Sequence, residues 1–217
     1  MSAIWSYLTG HLDTIGGWLG WHAVLSAVPV VLGLLIALPL GWLGRRQRSI
    51  RAVLLTAAGL LYTIPSLALF ILLPALIGTK ILDPINVVIA LTLYTVALLV
   101  RVVVDGLSAV PEDVVQAATA MGHTSLQRLW RVELPVAVPV IVAGLRVAAV
   151  SNVSIVSVAA ILGVPELGQL FTQGFQTFST EPIVIGIIGC VLLAAAFDLL
   201  IQLIGRLLTP WRRAVRA

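Results

Sequence analysis

QAATAMGHTSLQRLWRVELP, residues 116–135, is a polar interruption in a chain that is otherwise mostly oil. It has amphipathic spacing, two arginines, a glycine near its middle and a proline at its end. On both sides the sequence returns to long uncharged apolar runs. A segment this polar between such runs lies at a membrane surface, and its internal pattern says whether it is a passive loop or a built element.

The composition places the rest of the chain in lipid. Of 217 residues, 60% are hydrophobic and 10% charged, against roughly 25% charged in an ordinary soluble domain. A chain this apolar cannot cover its own surface with polar groups. Its lone cysteine, Cys190, sits in an apolar run, so no disulfide framework is expected. The N-terminal stretch MSAIWSYLTGHLDTIGGWLGWH has no basic start and is broken by Asp13 and several glycines. It does not read as a cleavable leader. Trp5, Trp18 and Trp21 make residues 1–21 an interfacial segment on the extracytoplasmic side.

A helix needs about 20 apolar residues to cross a bilayer. Five runs qualify: Val24–Leu43, Ala52–Gly78, Pro84–Val104, Pro135–Leu162 and Pro182–Leu208. The fold class expected is therefore an all-α membrane protein of about five spans, forming one domain over residues 1–217. Pro65 and Pro74 should bend the second span. Arg45, Arg46, Arg48 and Arg51 follow the first span, Arg101, Arg128 and Arg131 flank the third loop, and Arg206, Arg212, Arg213 and Arg216 follow the fifth. With five spans these fall on one side, and Lys80 stands alone on the other. The positive-inside rule then puts the N-terminus outside, and residues 209–217 form a basic cytoplasmic tail. This distribution accounts for the net charge of +4 and excludes nucleic acid as the partner; the arginines meet anionic headgroups and the cytosol.

The opening segment is thereby cytoplasmic, within a loop at 111–135. Pro111 suits a first helical position, and Glu112 and Asp113 suit the positive end of a helix. Val114, Ala117, Ala118 and Met121 form an i, i+3, i+4, i+7 stripe. Gly122 permits the left-handed turn that ends a helix. Thr124 or Ser125 caps a second short helix in which Leu126, Leu129 and Trp130 share a face, and Pro135 closes it. Two short helices about a glycine hinge either rest on headgroups or dock in a groove on a partner.

This segment resembles the EAA loop of ABC-importer permeases: Glu-Ala-Ala, three residues, Gly, nine residues, Ile-x-Leu-Pro. Here Gln116, Ala117 and Ala118 are followed by Gly122 and then by Val132, Glu133, Leu134 and Pro135 at the same offsets. Gln116 replaces the glutamate and Val132 the isoleucine. The stretches VLGLLIALPLG, YTIPSLALF, VELPVAVPVIVAGLRVA and ELGQLFTQG extend the likeness to permeases of osmoprotectant importers, which handle glycine betaine, choline or carnitine. The resemblance implies a bacterial cytoplasmic-membrane subunit with no ATPase site and no cofactor of its own. Its partners would be two cytosolic ATPase subunits that bind ATP and Mg, a second permease, identical or paralogous, and an extracytoplasmic binding protein. Gln116, Ala117, Ala118, Gly122, Leu134 and Pro135 would couple the chain to the ATPase. The G-x-x-x-x-G-K-[ST] phosphate loop does not occur in the sequence.

Several intramembrane residues are candidates for the pathway. Arg146 falls about eleven residues into span four, roughly 16 Å deep, so it faces protein or water. It gates the pathway or pairs with Asp105, Asp198 or backbone carbonyls. Asp198 is read near the cytoplasmic end of span five. Ser151, Asn152, Ser154 and Ser157 either bond across helices or line a wet route; Ser154 and Ser157 share a face with Val150 and Ile161. Tyr62, Thr63, Pro65 and Ser66 interrupt span two, where Pro65 should free the Leu61 carbonyl. Phe171, Phe175 and Phe178 fit one face of a short helix in the outer loop. His11, His22 and His123 have no metal-ligand spacing, and no metal is expected. An amino-acid or methionine importer permease, a stand-alone secondary transporter and a membrane-anchored assembly factor remain the competing readings.

Overall fold

In the computed structural model, residues 2–211 are described; Arg212, Arg213 and Arg216 of the basic tail lie outside them. The chain is helical throughout, with no strand among the described residues. Its helices are α1 (Ser2–Gly10), α2 (Leu12–Arg46), α3 (Arg48–Thr63), α4 (Ser66–Ile77), α5 (Pro84–Ser108), α6 (Glu112–Ala120), α7 (Ser125–Arg128), α8 (Leu134–Val156), α9 (Gln169–Gln176) and α10 (Thr180–Leu208).

Four stretches are long and apolar enough to cross a membrane: Leu12–Arg46, Pro84–Ser108, Ser125–Leu162 and Thr180–Leu208. The second expected span is broken. Helices α3 and α4 meet at 104°, a corner rather than the bend expected of Pro65. The count is five if this pair is taken as one span. Residues 12–23 are not a separate surface segment either: α2 runs on through them, and its 35 residues reach about 52 Å, well beyond a hydrocarbon core of about 30 Å.

Close approach of α2 and α5 sets the architecture. Pro29, Gly33, Ala37 and Gly41 recur every fourth residue of α2, and all are buried. A Cβ at Gly33 would fall 2.3 Å from Thr95 Cγ2, and one at Gly41 2.5 Å from Val103 Cγ1. Lipid tails are as apolar as leucine, so the hydrophobic effect does not drive spans together; small residues that let backbones meet do. The same device recurs where Gly144 of α8 receives Val102 of α5 and where Gly205 of α10 receives Val142 of α8. Pro84 opens α5 behind Asp83, whose side chain accepts the Ile85 amide at 3.0 Å, a cap that fixes where this central helix starts.

Helix α3 has no buried residue, and α10 buries only Pro182, Ile185, Gly186 and Gly205. Tyr7, Leu8, Ile15 and Trp18 from α1 and the head of α2 pack on Leu167, Leu170 and Ile185 at one end of the bundle. There Tyr7 donates to Gln173 Oε1 at 2.8 Å, and partial burial pushes its phenol above the usual range.

Candidate functional site

At the arginine-rich end, the hinged segment is a built element. Pro111 is the N-cap of α6 rather than its first residue. Helix α6 closes on Gly122 at φ +84°. The His123 amide returns to the Ala118 carbonyl at 3.2 Å and the Gly122 amide to Thr119 at 3.0 Å. These two bonds complete a left-handed terminus that only glycine adopts without strain. Thr124 then caps α7 through a reciprocal pair with Gln127.

The second helix does not stop at Pro135. A π-turn at Leu129–Glu133 carries α7 directly into α8. Leu134 and Pro135 are the first two residues of α8, and the π-turn just before them accommodates a proline that would otherwise interrupt a continuous helix. Leu126, Leu129 and Trp130 therefore do not share a buried face: Leu129 is buried, and the other two are exposed. The stripe on α6 is also split. Ala118 is buried, whereas Gln116, Ala117 and Met121 face outward. Gln116 donates to Glu112 Oε1 at 3.4 Å. This leaves α6 with an exposed small-residue face beside its hinge.

Glu133 holds this segment to the bundle. It is 2% exposed, and it accepts from Arg45 at the end of α2 and from Arg128 Nε at 2.6 Å. Arg128 also reaches Thr119 Oγ1 on α6 at 2.8 Å. One buried carboxylate thus ties the hinge, helix α6 and the first long span together. A charge-assisted cluster of this kind is stronger than neutral hydrogen bonds. The sequence reading treated Glu133 as the variable position of Val-Glu-Leu-Pro, with no signal that arginines 5 and 88 residues away would converge on it.

The intramembrane candidates separate into three places. Arg146 and Asp198 form a two-pronged pair, at 2.6 and 2.8 Å, that clasps α8 to α10. Asp105 is taken by Arg51 at 3.3 Å. Asp198 lies ten residues before the end of α10, about 15 Å in; it is level with Arg146 and not at the helix end as expected. Asn152 is buried, and its amide donates to Thr95 Oγ1 at 3.0 Å and to the Ser26 carbonyl at 3.4 Å. It bonds across helices. Ser151 lies half-buried beside it. Ser154 and Ser157 line a separate recess of about 270 Å³ with Val150 and Phe171, without Ile161.

Tyr62, Thr63 and Pro65 are exposed at the corner between α3 and α4, with Ser66 half-buried. The freed carbonyl is not Leu61's, which accepts the Ile64 amide at 3.2 Å. It is Ile64's, and the Tyr94 hydroxyl of α5 donates to it at 2.5 Å. The Tyr94 ring also meets Tyr62 edge to face, centroids 5.6 Å apart. Tyr62 opens onto a groove of about 460 Å³ shared by α3, α5 and α8, which also holds Arg101.

A further buried pair was missed from sequence. His22 and Glu166 are fully buried, Nδ1 to Oε2 at 2.8 Å, while His22 Nε2 faces the Val153 carbonyl at 3.0 Å. A carbonyl only accepts, so Nε2 is the donor in that bond, and Nδ1 faces the carboxyl group of Glu166. Glu166 also accepts the Gly168 amide at 2.6 Å, which anchors the turn before α9 to α2. The outer phenylalanines split: Phe171 packs on Gly186 of α10, while Phe175 and Phe178 are exposed and Phe178, past the helix end, has φ +52°.

Residues 17–214 match the model of a family described as the binding-protein-dependent transport system inner membrane component. The chain belongs to this family. It is accordingly a multi-pass inner-membrane transport component. The osmoprotectant import permease protein OsmW of Salmonella typhimurium is 36% identical over 87% of this chain and 89% of its own length. A glycine betaine/carnitine/choline permease protein, OpuCD of Bacillus subtilis, is 31% identical over 88% and 83%. Among solved structures, a chain of the MetNI methionine ABC transporter in an inward-facing conformation superposes with a TM-score of 0.80 at 20% identity, covering 92% of this chain and 98% of that one. At that identity the likeness concerns the fold. For an inner membrane component, the exposed face of α6, the Glu133 cluster and the Tyr62 groove are the features that chemistry can use.

Proposed function

We propose that the chain is the permease subunit of an ATP-driven importer of quaternary-amine osmoprotectants such as glycine betaine, carnitine or choline. The observation that carries the reading is the exposed Gln116–Ala117 face of α6, set off by the Gly122 hinge, on a chain of this transport family. In this reading the arginine-rich end is cytoplasmic, and α6 seats in a groove on a cytosolic ATPase subunit that binds ATP and Mg. Two such subunits serve two permeases, the second being a copy or a paralogue. A binding protein delivers substrate at the opposite end, beside α9 and the α1 cover. The substrate class is supported by the names of OsmW and OpuCD. An amino-acid or methionine importer has only the 20%-identity fold likeness in its favour.

The deciding experiment is uptake of radiolabelled glycine betaine, choline and carnitine by proteoliposomes holding the assembled complex. ATP-dependent uptake that requires the binding protein is expected for at least one of them. Uptake of methionine or another amino acid alone would replace this reading with the alternative. Uptake without the ATPase would remove the importer class altogether.

A further inference from the structure

Arg101 was counted from sequence among the arginines that flank the third span. In the structure α5 continues seven residues past it to Ser108, which sets it about 10 Å inside the helix end. It is exposed, and it has no ion pair or side-chain hydrogen bond among the described residues. The carboxylate one turn further along α5, Asp105, is occupied by Arg51. An unpaired arginine this close to a helix end reaches water, the headgroup interface or a ligand rather than lipid tails.

What it faces is the groove between α3, α5 and α8, of about 460 Å³. The walls are small and apolar, Ala58 and Gly59 on one side and Ala97 and Val147 on the others. Two groups interrupt them: the Arg101 guanidinium and the Tyr62 ring. The Tyr62 ring is 45% exposed, yet Tyr94 holds it edge-on, and Tyr94 is itself held through its hydroxyl to the corner carbonyl of Ile64. A fixed aromatic face attracts a quaternary ammonium and gives it no hydrogen bond to miss. A guanidinium accepts a carboxylate in a two-pronged fashion. Tyr62 from α3 and Arg101 from α5 line the same groove.

Building on the importer reading, we infer that this groove is a transient site for zwitterions that carry both a quaternary ammonium and a carboxylate, the cation on Tyr62 and the carboxylate on Arg101. The site favours betaine-type substrates over choline. Choline has no carboxylate, and its cation gains nothing from a neighbouring guanidinium.

The test compares ATP-driven uptake of glycine betaine and choline by proteoliposomes of the full complex. Arg101→Gln should lower the maximal rate for glycine betaine about tenfold or more, with choline unchanged or faster. Arg101→Lys should restore most of the glycine betaine rate. Tyr62→Leu should slow both substrates by about tenfold, and Tyr62→Phe should stay close to wild type. If the binding protein delivers only carboxylated amines, the contrast between lysine and glutamine at position 101 decides alone. Equal effects of Arg101→Gln and Arg101→Lys, a parallel fall for both substrates in Arg101→Gln, or wild-type transport of choline alone would overturn the assignment and leave the importer reading intact. Absence of any quaternary-amine uptake by the wild type would instead overturn the importer reading itself.

Discussion

Glu133→Gln removes one negative charge from between two arginines that stay where they are. The carboxylate is 2% exposed, and the Arg45 and Arg128 side chains are 19% and 23% exposed. Removing one partner of a well-buried ionic cluster costs about 3–5 kcal/mol. The arginines retain some access to water, and the amide oxygen of glutamine still accepts from one of them. Both effects lower the figure, to about 2–3 kcal/mol. For a chain of this size, that corresponds to a fall in Tm of about 5–10 °C. The assay is thermal unfolding of the detergent-purified chain for Glu133→Gln, Arg45→Gln and the double variant. Because the two side chains act on one another, the double variant should cost clearly less than the sum of the singles. The damage should also be felt in coupling: the α6–α7 segment loses its tie to the end of α2, so ATP hydrolysis responds weakly to loaded binding protein. A single variant within about 1 °C of wild type, or strictly additive losses, would refute the claim that this carboxylate is the tie.

Gly122→Val puts a β-branched residue at φ +84°, at a conformational cost of about 1–3 kcal/mol. Nothing lies within 4 Å of the added Cβ, so the chain should insert and assemble, with substrate-stimulated ATPase activity largely lost; full stimulation would mean that the segment is a passive loop. Gly41→Ala should destabilise the chain by about 1–3 kcal/mol, since its Cβ would meet Val103 Cγ1 at 2.5 Å; an unchanged Tm would show that α2 and α5 part freely. Cysteines placed at positions 80 and 128 should be labelled from opposite sides of the membrane, and labelling from one side would end the five-span topology.

The sequence was most legible where a local rule acts alone. Gly122 had to end a helix because only glycine takes that turn cheaply, and four of the five apolar runs were recognisable as spans by their length. Boundaries went wrong where the helix had a reason to continue that no short window contains. Pro135 stops nothing, because the wide π-turn just before it lets the helix pass a residue that has no amide to give. The long-range pairs were invisible for a different reason. Arg45 with Glu133 and His22 with Glu166 lie 88 and 144 residues apart, and no periodicity links them. Arg146 and Asp198 were open to inference only because a charge at that depth must find a counter-charge, and few were on offer. The corner at Ile64 was readable as a break, but the partner of its free carbonyl, Tyr94, sits on another helix.

The clasp between Arg146 and Asp198 also bears on how the chain is made. The two residues are 52 positions apart, and a ribosome adds about 5–20 residues per second. The helix holding Arg146 therefore reaches the bilayer roughly 3–10 s before its counter-charge has been synthesised. During that interval a bare guanidinium sits deep in lipid, at a penalty of about 2.5–3.5 kcal/mol. The nascent helix has reason to linger beside the insertion machinery, or to stay shallow, until the last helix emerges. Release into the bilayer then becomes a two-helix event, and a chain cut short before Asp198 would be retained and degraded rather than accumulate as a four-helix fragment.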